Sequence, residues 1–315
     1  MIEYFKPTLT GLKTFKKVQS ESWIHLSNPT EADIEKLSKI LKIKKKDFED
    51  LKQDILSLSD EEEIPLFDLK NDGLIFIIIK TPEETHYRAD KEYDTVPLGI
   101  ILTKEIVVTI SFKKNNNTIL RMKEKKYTFN TVYFTLRLML TSTKSYLYFL
   151  KLINKKLKRI EDVLERHPTN KEMSHLLDVQ KSLVYFNTSL TNNYILFEKV
   201  SRSSIFLQTS ENEDLISDLL DETKQAIQTN NIYSDNLKHT LNVVSSLISN
   251  NLNRIVKFLT SMSIIIAIPT LVASLYGMNV ILPFQDNPSA FIFILLISFV
   301  ISVVIGLFLW YKKLF

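Results

Sequence analysis

Residues 254–279, RIVKFLTSMSIIIAIPTLVASLYGMN, decide the fold. From Ile255 to Leu275 there is one charge, Lys257, near the start, and a second apolar run, Phe291 to Tyr311, has none. Each run is about 21 residues, or roughly 31 Å as a helix at 1.5 Å per residue. That length matches a bilayer hydrocarbon core of roughly 30 Å. Two such runs at the end of a charged chain read as transmembrane helices, not as core helices of a soluble domain. Arg254 and Lys257 flank the first run, Lys312 and Lys313 follow the second, and the loop between them carries only Asp286. The positive-inside rule then predicts both termini in the cytoplasm and the short loop outside, with Trp310 and Tyr311 at the inner interface.

A stripe of small and polar residues runs along the first span. Asn242, Ser246, Ser249, Asn253, Val256, Thr260, Ser263, Ala267, Thr270 and Ser274 follow one another at alternating steps of 4 and 3. A 3.5-residue period keeps them on one face, which in a symmetric bundle turns toward the common axis. Small residues also allow close helix packing in lipid. A pore lining is the better reading, because the stripe holds asparagines and several hydroxyls and extends from the stalk through the span. It holds no carboxylate. Mg2+ gives up its waters reluctantly, so hydroxyls and amides that hydrogen-bond an intact hydration shell suit it. Conduction also needs weak, repeated sites. A membrane potential would drive such an ion inward with roughly 2.3 kcal/mol per charge per 100 mV, about 4.6 for two charges.

Outward from the spans, the 315-residue chain has a net charge of +4 and a mean hydropathy near zero, an average that hides the contrast between a charged body and an apolar end. Without cysteine there are neither disulfides nor thiolate metal sites. The five histidines, His25, His86, His167, His175 and His239, form no HExxH pair. Lysines alternate with acids and build no basic stripe with aromatics, so no nucleic-acid partner is expected. No GxxxxGK[ST] or GxGxxG is present, which argues against a nucleotide-cradling loop. No nucleophile–base set emerges, so an enzyme is the least favoured class, and no organic cofactor is expected. The charged N-terminus does not read as a signal peptide, and the large first part is expected in the cytoplasm.

The predicted organisation is an α+β membrane protein: an α/β domain over 1–127, a helical hairpin over 128–209, a stalk helix over 210–254, a first span over 255–275, an outer loop over 276–290, a second span over 291–311 and a basic tail over 312–315. In the first domain, Trp23-Ile24-His25-Leu26 reads as a strand. Asn28 then reads as an N-cap with Pro29 in the first turn and Glu31 at N3. Ile64 to Leu69 and Leu74 to Lys80 flank an Asp72-Gly73 turn. Val96 to Leu102 and Ile106 to Ser111 form a second pair, giving a mixed or antiparallel sheet. Helix is predicted from about Asn130 to Arg166, broken at Pro168, and again from Asn170 to Leu207. Ser210 with Glu213 reads as a capping box. After it no proline or glycine occurs until Pro269, so one helix of about 65 residues, roughly 98 Å, runs from stalk into membrane. A helix that long implies packing against copies of itself.

Tyr276-Gly277-Met278-Asn279, following Pro269-Thr270 and a long stalk, resembles the CorA family of magnesium and cobalt channels. The resemblance extends to the Trp23-Ile24-His25-Leu26-x-Asn28-Pro29-Thr30 start, both spans and the Lys312-Lys313 end. It implies a funnel-shaped homopentamer in the cell membrane whose first span lines the pore. It also implies that Gly277, Met278 and Asn279 hold a hydrated divalent ion at the outer mouth. Backbone carbonyls and the Asn279 amide oxygen would supply acceptors, Gly277 would let the helix end, and Tyr276 would brace the turn. Asn253 matches the family's inner pore asparagine and Thr270 its pore hydroxyl. Mg2+ is then both cargo and regulatory ligand, with Asp218 at the expected stalk position of a cytoplasmic sensing site and Asp90 or Asp94 as candidate partner. Two departures stand out. Asn242 lies where the family pattern would place an acid, and the loop Leu282-Pro283-Phe284-Gln285-Asp286 lacks the family's acidic outer loop. The expected function is Mg2+ influx, with Co2+ as a further ion. The alternatives are a Zn2+, Co2+ or Ni2+ transporter of the same fold, and a non-conducting membrane-anchored sensor. The absence of histidine and cysteine from the spans favours a hard ion.

Overall fold

Strands that are apolar on both faces need cover on both sides, and the segment Ile75-Phe76-Ile77-Ile78-Ile79 is of that kind. A computed structural model of the protein describes residues 2–8, 11–41, 45–57, 65–70, 73–85, 92–112, 116–124, 129–166, 170–278, 283 and 289–312. Its chain divides into two compact units, Met1–Thr240 and Leu241–Phe315.

The first unit is built on a seven-stranded mixed sheet. Its strands are β1 (Ile2–Thr8), β2 (Gly11–Phe15), β3 (Ser22–Ser27), β4 (Phe67–Leu69), β5 (Ile75–Glu84), β6 (Tyr93–Leu102) and β7 (Ile106–Ser111). They lie in the order β2-β1-β3-β7-β6-β5-β4. β3 and β7 pair in parallel, and the other neighbours are antiparallel. Ile24, Leu26, Phe76 and Ile78 point to one face, where α1 (Glu31–Leu41) and α2 (Lys45–Ser57) close the core with Leu37, Leu51 and Ile55. Gly99 of β6 permits this closeness, because a Cβ there would collide with the Ile55 side chain.

On the opposite face Trp23, Ile75, Ile77, Ile79, Leu98 and Ile100 meet α3 (Asn117–Lys123), α4 (Thr131–Arg166), α5 (Asn170–Ser201) and the start of α6 (Ser210–Tyr276). Polar groups pin this layer as well. The Asn193 amide of α5 accepts from the Lys80 N–H at 3.0 Å and donates to the Lys80 carbonyl at 2.7 Å, where the Tyr146 hydroxyl also donates at 3.0 Å.

Several local expectations shift. The cap of α1 is Thr30, not Asn28: its hydroxyl accepts from the Asp33 N–H at 3.3 Å, and the Asp33 carboxylate accepts from the Thr30 N–H at 3.1 Å. Asn28 takes a left-handed φ of 45° and donates its N–H to the Ser111 carbonyl, so it closes strand β3 rather than opening a helix. β5 runs on to Glu84 through Pro82, tolerated where β4, paired only with Ile75–Ile77, has ended. α5 stops at Ser201, not Leu207, and the chain turns until Thr209, whose hydroxyl and carbonyl accept the first N–H groups of α6 in place of Ser210. The N-terminal hairpin of β1 and β2 and the short helix α3 were not anticipated.

The second unit holds the end of α6, helical through Pro269, and α7 (Ala290–Tyr311). Both are long and apolar enough to cross a membrane, and in their most apolar windows only 6% and 17% of residues are buried. A core helix of a soluble protein would be mostly buried, so lipid is the solvent these surfaces fit. Ser261 of α6 and Ser298 and Ser302 of α7 are the buried polar residues among those described here, and a Cβ added at Gly306 would meet the Ile265 side chain at 3.5 Å, ordinary van der Waals contact. Ser298, Ser302 and Gly306 stand at i, i+4 and i+8, the small-residue spacing that lets two helices approach in a bilayer.

Candidate ion pathway

The polar stripe predicted along α6 stays exposed throughout the second unit: Asn242, Asn253, Val256, Thr260, Ser263, Ala267, Thr270 and Ser274 all face outward. The face that meets α7 is a different one. Ser261, Ile265, Ile268 and Val272 are its most covered residues, displaced from the stripe by alternately one and two positions, roughly 150° around the helix. Among the described residues, the stripe is therefore not consumed by packing. Ser263, Ala267, Thr270 and Ser274 line a shallow concavity, because their short side chains sit between longer Ile264, Ile266 and Leu271.

Three of its hydroxyls have a fixed polarity. Ser246 donates to the Asn242 carbonyl at 2.9 Å, Ser263 to Leu259 at 2.9 Å and Thr270 to Ile266 at 3.0 Å. Each proton is held by the helix's own backbone, so the oxygen lone pairs are what the stripe offers to its surroundings. Water bound to a cation points its hydrogens outward and needs acceptors of this kind.

α6 ends at Tyr276, and the turn beyond it holds the Gly277 N–H on the Ala273 carbonyl at 3.0 Å and the Met278 N–H on Leu275 at 3.3 Å. Gly277 does not adopt the left-handed backbone expected of a helix-ending glycine, and a Cβ on it would meet the Ala273 carbonyl at an ordinary 3.4 Å. Among the described residues nothing requires glycine there. The Tyr276 hydroxyl lies 3.5 Å from the Pro283 carbonyl, at the outer limit of a hydrogen bond. Met278 is exposed, and Asn279 lies outside the described residues.

Asp218 is exposed on α6, and Asp94, on β6, accepts the Thr95 N–H at 2.7 Å. Asp90 lies outside the described residues. Among the described residues no three His, Asp or Glu side chains gather as a metal-binding group. The α7 seam of Ser298, Ser302 and Gly306 is the feature sequence reasoning missed, although its four-residue spacing was available.

Comparison with known proteins joins these observations. A family model described as CorA-like Mg2+ transporter protein matches residues 19–313. The cobalt/magnesium transport protein CorA of Methanocaldococcus jannaschii is 28% identical over 290 residues, covering 90% of this chain and 87% of that protein. The CorA of Thermotoga maritima, also described as a cobalt/magnesium transport protein, is 22% identical over 239 residues, 72% of this chain and 65% of that one. The complete structure of the M. jannaschii CorA magnesium transporter superposes with a TM-score of 0.76 at 25% identity, covering 99% of this chain and 96% of the other. The chain thus belongs to the CorA-like Mg2+ transporter family, membrane-embedded transporters rather than enzymes.

Proposed function

We propose that copies of this chain, five as in the funnel that the family resemblance implies, assemble around an axis and pass hydrated Mg2+, with Co2+ as a second ion, into the cell along the membrane potential. The observation that carries this reading is the exposed stripe of oriented hydroxyls. Facing lipid it would be unfavourable, since polar groups in a bilayer turn to a bundle interior or a water-filled cavity. Facing an axis shared with other copies, it lines an aqueous path with acceptors for a hydration shell. Gly277, Met278 and Asn279 form the outer mouth, Tyr276 supports them, and Asn253 stands at the inner end. Both termini are cytoplasmic.

Ion flux into proteoliposomes tests the mouth. Asn279→Ala should lower Mg2+ flux at least tenfold, about 1.4 kcal/mol in barrier, and Co2+ flux with it. Unchanged flux would remove the assignment, and a parent protein that conducts Zn2+ but not Mg2+ would select the other ion class.

Cytoplasmic Mg2+ closes the pore through Asp218, paired with Asp94 or Asp90 of a neighbouring copy. Mg2+ takes one or two carboxylates and keeps several waters, so two acids facing across an interface suffice. In Asp218→Lys the inhibition of flux by internal Mg2+ should weaken several-fold. An identical Mg2+ dependence retires the site.

A further inference from the structure

A cavity of about 500 Å³ opens in the first unit between α4, the beginning of α5 and the residue that leads into β6. It uses none of the residues of the proposed ion pathway. Leu152, Ile160 and Val163 of α4 give it an apolar floor, with Tyr93 beside them. That floor is rigid, because Tyr93 is buried against Phe149 and Phe186 and its N–H is held by Ser182.

Charge is distributed unevenly around the rim. Lys156 is already neutralised by Glu92 at 2.6 Å, and Glu92 is itself anchored by two hydrogen bonds from Thr85 to its carbonyl. Lys155 and Arg159 stand one helical turn apart on the same side of α4. Among the described residues neither makes an ion pair. Two unneutralised cations at that spacing, one of them a guanidinium fork, suit the oxygens of a phosphate monoester. Across the cavity, one carboxylate oxygen of Glu172 is buried and accepts no hydrogen bond. It calls for a donor, which a sugar hydroxyl supplies without adding negative charge beside the carboxylate.

We propose that this cavity binds a phosphorylated small molecule of nucleotide size. Its phosphate would meet Lys155 and Arg159, a hydroxyl of its sugar would donate to Glu172, and its apolar body would lie on Leu152, Ile160 and Val163. The volume is within the range of small-molecule sites.

The test is calorimetric titration of the full-length protein in detergent, in chelator-containing buffer so that no divalent ion intervenes. AMP, ribose 5-phosphate and inorganic phosphate are the probes. AMP should bind with a dissociation constant below about 1 mM. Lys155→Ala with Arg159→Ala should weaken AMP at least tenfold. Glu172→Ala should split the probes: AMP and ribose 5-phosphate weaken, and inorganic phosphate tightens because a repelling carboxylate is gone. The altered side chains lie on the cavity rim, and an unchanged melting temperature verifies the fold. The proposal is overturned if AMP does not bind up to about 10 mM, if the double variant binds it equally well, or if phosphate alone binds the parent as tightly as AMP.

Discussion

The chain has two tryptophans, one in each unit, and their circumstances are opposite. Trp23 is fully buried, its ring 4.9 Å from Phe5 and 5.3 Å from Phe134, its indole N–H donated to Thr109 at 2.9 Å. Trp310 is 70% exposed near the end of α7. The first unit puts apolar side chains inside and holds polar groups among them by hydrogen bonds, as at Lys80, Asn193 and Tyr146. The second turns Ile, Leu and Phe outward and keeps serines and a glycine between its helices. The same residue types are sorted by two solvents, water around one unit and lipid around the other. A buried small polar residue consequently belongs to a packed interior in the first unit, and in the second a small polar residue marks a helix contact or a candidate aqueous path.

Three measurements break or sharpen that contrast. The largest effect should come from Trp23→Ala, which removes a buried aromatic and should cost the first unit roughly 3–5 kcal/mol. Trp310→Ala should leave chemical unfolding in detergent nearly unchanged. Equal effects of the two would end the two-solvent account.

The second measurement is a pH scan. His25 is buried, and removal from water, with a smaller contribution from Lys123, lowers its pKa to about 3. Its Nδ1 lies 2.9 Å from the Thr109 hydroxyl, which can donate to a neutral ring. Below pH 6.5 the unfolded chain binds a proton there that the folded chain does not, so stability falls as pH drops from 6.5 toward 3. From this group the loss at pH 4.5 relative to pH 7 should be roughly 2–3 kcal/mol. The denaturation midpoint of the first unit should move with pH accordingly, and His25→Asn should flatten that slope. A slope that persists in the variant would assign the pH dependence to other groups.

The smallest effect belongs to the second unit. Thr270→Val keeps the shape of an exposed stripe residue and removes its acceptor. Stability should not change, while Mg2+ flux should fall roughly threefold to tenfold, about 1 kcal/mol in barrier. A flux equal to the parent's would show that the stripe's hydroxyls are packing groups and nothing more.

Much of this was legible because the strongest signals are long. The two spans, the continuous α6 and the hairpin of α4 and α5 each rest on tens of residues whose apolar pattern has one period. What escaped was set by single atoms at a distance. Asn28 carried an N-cap's chemistry, but the parallel pairing of β3 with β7 captured its N–H, and the capping passed to Thr30. Asn193 looked like any polar helix residue until β5 was placed against it. Gly277 looked like a helix terminator because that is what isolated glycines usually do, and its backbone proved ordinary. In the proposed ion pathway, the period of the stripe could be read from sequence. The direction in which its hydroxyl protons point could not, because it depends on the χ1 angles of Ser263 and Thr270 and the carbonyls four residues before them.

That direction has a further consequence. Water around an anion turns its oxygens outward and asks for donors, whereas water around a cation asks for acceptors. A path walled by oxygens whose protons are already engaged would greet one kind of shell and not the other. It would sort ions by the sign of their charge with no formal charge on its wall from Val256 to Ser274, and so without the deep binding that would hold a doubly charged traveller in place.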